Sequence, residues 1–239
     1  HVGPVVQLMQ METASDSITV KEDDRYIFLE NNNFCYQYNK LTGCFTSMNF
    51  KNRNLLERPM EYNIWRAPTD NDRNLKHTWM SAHYDRAYSR GYETSCQVKD
   101  GNVVIHTFLS MCAVVIQRIL TVDACWTICP DGRIDVKLDV KRDPEFPELP
   151  RFGLRLFLPE EMATVTYCGL GPVENYLDKR RASFHRIFTN DVKELHEDYL
   201  KPQENGSRSD CDYVTIAGGD TAVTAAGENG FSFNASVYT

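Results

Sequence analysis

The chain has 239 residues, of which 42% are hydrophobic and 25% charged, and its formal net charge at pH 7 is -7. This composition is typical of a globular protein, and the acidic balance argues against a nucleic-acid partner, because phosphate binding requires a clustered basic face. No segment is apolar for long enough to span a bilayer as a helix, so we also expect no membrane partner.

The two ends of the sequence predict a truncated polypeptide. The chain begins at His1 without an initiating Met and without the basic-then-apolar pattern of a signal peptide. It ends at Thr239 in residues typical of a strand. We therefore expect these 239 residues to be a single domain, residues 1–239, that is cut at both ends from a longer protein.

Alternation of polar and apolar residues with a period of two dominates the chain and predicts strands with one buried face. The clearest case is residues 133–140, which follow a Pro-Asp-Gly turn, whereas residues 103–109 and 114–122 are apolar on both faces. The other predicted strands, in chain order, are residues 26–29, 34–38, 152–158, 213–217, 221–226 and 231–235. These many short strands predict an all-β fold, a large antiparallel β-sandwich.

Helical spacing is confined to residues 74–88, where Trp79, His83 and Ala87 recur at every fourth position. This stripe predicts one short helix packed against a sheet, with His83 as a packing residue. Residues 191–200 predict either a short helix or an irregular strand. The basic run at residues 179–181 predicts a solvated turn.

The eight cysteines predict neither a disulfide nor a metal site. A chain of this size without a secretory signal is expected to keep buried thiols reduced. The closest pair, Cys125 and Cys129, would lie about 13 Å apart in a strand that rises ~3.3 Å per residue, too far to bridge or to share one zinc ion. Neither Cys-x-x-Cys nor His-Glu-x-x-His spacing occurs.

The first polar cluster lies in residues 63–73 and contains Trp65, Arg66, Asp70, Asn71 and Asp72. One interpretation is sugar recognition, in which the polar side chains bond hydroxyls and the indole offers an apolar face. Calcium is a weaker alternative, because the EF-hand spacing and its closing Glu are missing. A third interpretation is an Asp/Asn turn that bonds its own backbone, with the arginine in a buried ion pair.

The second polar cluster brackets residues 169–208. Glu174 and Asn175 stand near its start, and Glu204, Asn205 and Arg208 stand near its end. Glycine and proline set tight turns beside both groups. The side chains can therefore be aimed at a polar ligand or can hold the turns together by charge-assisted hydrogen bonds.

Three motifs in this order resemble the small-chain domain of family 2 β-galactosidases. They are Trp-Arg-Ala-Pro-Thr-Asp-Asn-Asp at 65–72, Gly-Leu-Gly-Pro-Val-Glu-Asn-Tyr at 169–176, and Pro-Gln-Glu-Asn-Gly-Ser-Arg at 202–208. The resemblance covers roughly residues 18–233. It implies a many-stranded antiparallel supersandwich similar to galactose mutarotase.

The resemblance also implies that this chain is a non-catalytic C-terminal domain. Retaining glycosidases need two carboxylates about 5 Å apart, and in this family both glutamates come from a separate (β/α)8 barrel. Glu174-Asn175 and Glu204-Asn205 reverse the Asn-Glu order of the family's acid/base motif. We therefore expect no catalytic residue here. The domain is expected to contribute to carbohydrate binding and active-site architecture, while the full enzyme hydrolyses terminal β-D-galactosides such as lactose.

The expected partners are the barrel and other domains of the same enzyme, a galactoside substrate, and further copies of the enzyme in a homo-oligomer. The resemblance implies a cytoplasmic location and no cofactor in this part, although full-length family enzymes often use Mg²⁺ and Na⁺. Two alternatives stay open. One is a stand-alone carbohydrate-binding module, and the other is an aldose 1-epimerase in which Glu204 works with His185 or His196.

Overall fold

The computed structural model describes residues 17–176, 178–201 and 203–238. Every sheet is built from antiparallel strand pairs, which confirms the predicted all-β antiparallel fold class. The chain divides into two compact units, with the boundary between Leu158 and Pro159. The single domain over residues 1–239 stays a prediction. None of the helices in the described ranges combines the length and the hydropathy that crossing a bilayer requires.

The first unit, as described, covers residues 17–158. Its strands are β1 (Thr19–Glu22), β2 (Tyr26–Glu30), β3 (Phe34–Asn39), β4 (Cys44–Phe50), β5 (Arg53–Asn54), β6 (Arg58–Asn63), β7 (Tyr88–Lys99), β8 (Asn102–Ala113), β9 (Ile116–Ile128), β10 (Ile134–Arg142) and β11 (Gly153–Phe157). They form three sheets in the orders β1-β2-β3-β4-β5, β10-β9-β8-β7 and β11-β6.

Aromatic side chains join the first two sheets into a sandwich. Phe45 on β4 is fully buried, and its ring centroid lies 5.4 Å from that of Trp126 on β9. Tyr38 on β3 contacts the same phenylalanine edge-on at 5.3 Å. Edge-to-face pairs of this kind add stabilisation beyond the area they bury, so these rings form the centre of the unit's core.

Two of the predicted strands differ in detail from the structure. Residues 103–109 were expected to be buried on both faces, but His106 and Phe108 on β8 are exposed, because the second face of this sheet is solvated. The strand expected at 114–122 starts at Ile116. Val114 and Val115 form an exposed turn instead, and Val115 has a φ of 62°, a left-handed conformation that ends strand pairing.

The predicted helix over residues 74–88 is also shorter. Helix α1 spans Lys76–Ser81, and a separate 3-10 helix spans Tyr84–Arg86. His83 between them has a φ of 57°, and this left-handed residue breaks the helical hydrogen bonds. Trp79 is the buried residue of α1, and its indole N–H donates to the carbonyl of Glu148 over 3.0 Å. The segment between β10 and β11, which contains Glu148, thus packs on the helix.

The second unit is described from Pro159 onwards and contains one four-stranded sheet. Its strands are β12 (Thr164–Gly171), β13 (Phe184–Asp191), β14 (Arg208–Gly218) and β15 (Thr221–Phe233), in the order β13-β12-β14-β15. A 3-10 helix, Val192–Leu195, lies where the sequence predicted a short helix or an irregular strand. Val165, Tyr167 and Cys211 are central to its apolar core.

The two strands predicted at 221–226 and 231–235 are a single strand, β15. Its pairing with β14 is irregular, since Tyr213 pairs with Ala226 whereas Cys211 pairs with Phe231. A bulge of this kind absorbs extra residues without ending the strand, and this explains why the sequence between them looked like a turn.

We predict that Phe45→Ala lowers the free energy of unfolding by about 3 to 5 kcal/mol, because a buried ring is replaced by a cavity. Urea denaturation of the 239-residue chain measures this loss. Phe108→Ala is the matched control, because that ring is 39% exposed in the same unit, and we expect a loss of about 1 kcal/mol or less. Equal losses for the two variants would contradict the assignment of Phe45 to the core.

Candidate functional site

The arginine of the first polar cluster is held in an ion pair. Both Arg66 terminal nitrogens donate to the carboxylate of Asp72, over 2.6 Å and 3.0 Å. The same carboxylate accepts from the backbone N–H and the hydroxyl of Thr69, both over 2.8 Å. Burial acts to raise the pKa of Asp72, but the hydrogen bonds from Arg66 and Thr69 outweigh it and hold the pKa below its ordinary value. This pair therefore locks the turn.

The other members of this cluster lie around that locked turn. Asp70 and Asn71 belong to the 3-10 helix Asp70–Asp72 and are exposed, while Trp65 is half-buried against the core. Arg66 also lies over the Trp79 ring, with its guanidinium carbon 5.4 Å from the ring centroid. Asp72 is thus committed to the protein, and Asp70 and Asn71 are presented at the surface.

In the second unit, Glu174 is a buried carboxylate surrounded by donors. It is 2% exposed. One oxygen accepts from the Lys179 ammonium over 2.8 Å and from the Tyr199 hydroxyl, and the other accepts from the Gly206 backbone N–H over 2.9 Å. The Tyr176 hydroxyl lies at 3.5 Å. Glu174 therefore ties its own loop to two segments that follow it in the chain.

The electrostatics of Glu174 follow from these contacts. Burial acts to raise its pKa, but hydrogen bonds from Lys179, Tyr199 and Gly206 outweigh burial and hold the pKa below its ordinary value. The hydrogen bond to Glu174 in turn raises the pKa of Lys179. The cluster is therefore an ionised pair with supporting hydrogen bonds, the arrangement in which a buried charge is tolerated.

The amide of Asn175 is fully buried and uses its whole hydrogen-bonding capacity. Its nitrogen donates to the carbonyls of Leu170 and Val173, over 2.9 Å and 3.2 Å. Its oxygen accepts from the backbone N–H of Ser209 over 2.9 Å and from the hydroxyl of the same residue. This side chain joins the end of β12 to the beginning of β14.

The remaining candidates also hold segments together. The Glu204 side chain and the backbone carbonyl of Asn205 both accept from the Asn234 side chain. The Asn205 side chain accepts from the Glu197 N–H over 3.2 Å.

Arg208 is 2% exposed and donates to the Tyr167 hydroxyl and to the Ser207 carbonyl, each over 3.2 Å. All five candidates of the second cluster therefore have intramolecular partners.

Sequence reasoning missed two residues of the Glu174 cluster. Lys179 was assigned to a solvated turn, yet its ammonium contacts Glu174, and Tyr199 was not singled out. Tyr199 is 25 residues from Glu174, so no local spacing reveals the contact. The one available signal was that a buried carboxylate requires a cation, and Lys179 was the first cation after it.

A further group was not expected from the sequence at all. The ligand atoms of Cys168, His185 and Asp212 lie within 4.8 Å of one another, and this is the group in the described residues that could hold a metal ion. The three side chains come from β12, β13 and β14. Short Cys and His spacings do not reveal this group, because its residues are adjacent across strands and not along the chain.

Fold and site together define an antiparallel β-sandwich protein in which the prominent carboxylates of both motif regions are tied into loops. The family described as "Beta galactosidase small chain" matches residues 30–239. The chain therefore belongs to the β-galactosidase small-chain family, in agreement with the resemblance of its three motifs.

Curated relatives give the same result. The chain is 39% identical over 220 residues to a β-galactosidase of Actinobacillus pleuropneumoniae, covering 92% of this chain and 22% of that protein. It is 32% identical over 204 residues to that of Staphylococcus xylosus, with coverage of 85% and 20%. For Lactobacillus delbrueckii subsp. bulgaricus the values are 35% over 190 residues, 79% and 18%. The chain thus spans about a fifth of these relatives.

We predict that Glu174→Gln lowers the free energy of unfolding at pH 7 by about 1 to 3 kcal/mol, because it removes charged hydrogen bonds in a buried site. The folded-state pKa of Glu174 is lowered from 4.5. Its stabilisation is therefore present above pH 4.5 and is lost as the pH falls through the folded-state pKa. The gap between wild type and variant should narrow below pH 4.5 in urea denaturation.

The control for this prediction is Glu160→Gln, which changes an exposed carboxylate in the same unit. We expect little change in stability from it at any pH. A gap between wild type and Glu174→Gln that stays constant from pH 7 to below pH 4.5 would show that ionisation of Glu174 does not stabilise the fold.

Proposed function

We propose that the chain is a non-catalytic domain of a β-galactosidase and supports the architecture around a sugar site to which other domains contribute the catalytic carboxylates. Family membership over residues 30–239 and the coverage of about a fifth of each relative support this proposal. The partners are then the remaining domains of the same enzyme, including its barrel.

The observation that carries the proposal is the environment of Glu174. A glycosidase carboxylate must either attack the sugar or exchange a proton with the leaving group, and both roles require access to substrate. Glu174 is 2% exposed, and its oxygens accept from Lys179, Tyr199 and Gly206. Its lowered pKa also opposes service as a proton donor near neutral pH. This carboxylate therefore acts as a loop anchor.

Glu174 and Asn175 fix the backbone of the second unit at residues 206–209. Glu174 holds the turn at Gly206, and Asn175 holds the backbone at Ser207 and Ser209. A loop held by buried, satisfied polar groups has little freedom to move. We propose that this rigidity is its contribution to active-site architecture in the whole enzyme.

Carbohydrate binding is a second candidate, and the surface turn in the first unit favours it. The Arg66–Asp72 pair holds the turn in place, Asp70 and Asn71 are exposed on it, and Trp65, which precedes Arg66 in the chain, is half-buried. Sugar sites use a few well-placed polar groups beside apolar surface. We propose that these three side chains, and not the buried pair, make any contact with sugar.

The aldose epimerase alternative has less support. The Glu204 carboxylate accepts from Asn234, the His185 ring lies 3.4 Å from Asp212, and the His196 ring lies 5.0 Å from that of Tyr238. Mutarotation needs an acid and a base on opposite sides of one sugar ring, and these contacts tie the three side chains to other residues. We propose no epimerase activity.

We further propose that the whole enzyme is a cytoplasmic homo-oligomer that hydrolyses β-D-galactosides. Mg²⁺ and Na⁺ then belong to the full-length enzyme.

We predict that the purified 239-residue chain does not hydrolyse a chromogenic β-galactoside above the rate of buffer, because the Glu174 carboxylate is buried and its oxygens accept hydrogen bonds from Lys179, Tyr199 and Gly206. Release of nitrophenol measures the rate. Turnover that Glu174→Gln or Glu204→Gln reduces by ~10²-fold or more, the usual size of a general acid/base contribution, would overturn the non-catalytic proposal. A contaminating enzyme would give the same rate with both variants.

Sugar binding is tested by nuclear magnetic resonance of the Trp65 indole during a galactose titration on the order of tens of millimolar, the range that a millimolar site requires. We predict shifts in the indole and in residues 70–71 that disappear in Asp70→Ala and Asn71→Ala. Glu160→Gln should leave them unchanged. An unchanged Trp65 signal throughout the titration would reject sugar binding at this turn without affecting the non-catalytic proposal.

A further inference from the structure

Three neighbouring strands bring a thiol, an imidazole and a carboxylate together on the sheet of the second unit. Cys168 is on β12, at the centre, with β13 on one side and β14 on the other. On β13, His185 pairs with Leu170, two positions along β12 from Cys168 and therefore on the same face. On β14, Asp212 precedes Tyr213, the strand partner of Cys168. In a regular strand Asp212 would then face away from Cys168, but the pairing of β14 is irregular between Cys211 and Tyr213. The grouping is thus a consequence of strand register together with this irregularity.

The close approach of β14 to β12 depends on a glycine. A Cβ atom at Gly169 would lie 2.4 Å from the Cys211 sulfur and 3.0 Å from the Cys211 Cα. Only glycine therefore lets the two strands come this near without displacement. Asp212 follows Cys211 directly, so this contact also positions its carboxylate.

Two distances within the cluster fit coordination of one ion. The Cys168 sulfur lies 3.3 Å from an Asp212 oxygen, and the His185 Nε2 atom lies 3.4 Å from the same oxygen. A tetrahedral zinc ion with bonds of about 2.0 to 2.3 Å separates its ligand atoms by about 3.3 to 3.7 Å. Both distances therefore match the separation between two ligand atoms of a tetrahedral ion, and the strands need not move.

We propose that Cys168, His185 and Asp212 bind a single thiophilic divalent metal ion, with Zn²⁺ the best match, and leave its fourth position to water. Thiolate and imidazole ligands select such ions over Mg²⁺ and Ca²⁺. Cys168 is buried, whereas the side chains of His185 and Asp212 are 40% and 32% exposed. The thiol thus forms the floor of the site, and the two exposed ligands give the ion a route from solvent.

Binding takes the place of an existing hydrogen bond. The Cys168 thiol donates to Asp212, and the ion occupies the position of that proton between the sulfur and the oxygen. The S–H bond breaks, a sulfur–metal bond forms, and the proton is released to solvent, so no oxidant or reductant is needed.

A redox or nucleophilic role for Cys168 fits the structure less well. Burial, followed by the hydrogen bond to Asp212, raises the pKa of Cys168 to about 11. Reactive cysteines are thiolates in electropositive, partly exposed surroundings, whereas this thiol is buried beside a carboxylate. The three-ligand geometry therefore favours metal binding over a redox or nucleophilic role.

The test is a titration of the chelator-treated 239-residue chain with Co²⁺ and then Zn²⁺. Tetrahedral Co²⁺ bound to a thiolate has a charge-transfer band in the near ultraviolet and d–d bands in the visible. We expect one equivalent to bind, Zn²⁺ to abolish both signals, and Cys168→Ser to remove the charge-transfer band. His185→Gln should weaken binding by more than the ~10- to 100-fold that loss of an outer-shell partner causes.

Cys125→Ser is the matched control, because Cys125 is a second cysteine next to a histidine. Its sulfur lies 3.5 Å from His106. We expect it to leave the cobalt spectrum unchanged. The proposal is overturned if no charge-transfer band appears, if the band survives in Cys168→Ser, or if Cys125→Ser removes it. His185→Gln changes a half-exposed side chain and should keep the fold, as circular dichroism checks. Unchanged affinity in that variant therefore overturns the proposal even if Cys168→Ser fails to fold.

Discussion

A buried carboxylate is stable only if cations and hydrogen-bond donors replace the water it has lost, because desolvation of a charge costs several kcal/mol. Glu174 meets this requirement with the Lys179 ammonium, the Tyr199 hydroxyl and the Gly206 amide. Tyr199 and Gly206 lie 25 and 32 residues further along the chain, so the charge is fully satisfied only when these segments are together. The loops of the second unit therefore depend on this one ionised group and on the saturated amide of Asn175 beside it.

The first unit uses the same physical solution at a different position. Asp72 is held by both terminal nitrogens of Arg66 and by Thr69, and this bidentate pair keeps the turn rigid. The commitment of Asp72 leaves Asp70 and Asn71 at the surface. In both units, a buried acidic residue with several hydrogen-bond donors around it stabilises a loop.

The second unit also combines side chains whose chemistry a search along the chain does not reveal. A sheet places residues of neighbouring strands within a few ångströms, whatever their separation in sequence. Cys168 and Asp212 are 44 residues apart and 3.3 Å apart in space. Spacing rules for zinc motifs describe ligands on one hairpin or one helix turn, so they do not detect a site assembled from β12, β13 and β14. The glycine at 169, which permits the close approach of β14, has no meaning until the sheet exists.

The sequence by itself determined the fold class and the family. Period-two alternation predicts strands because side chains alternate between faces, and three ordered motifs indicate the β-galactosidase small chain, which the family match confirms. Local conformation was predicted less well, since the left-handed His83 that ends α1 and the bulge that keeps β15 continuous depend on packing. Only the tertiary structure decided that Glu174 pairs with Lys179 and Tyr199 and that Cys168 lies beside Asp212. The physical reason is that burial and partnership are properties of strand register and loop closure, and neither is encoded in the spacing of residues along the chain.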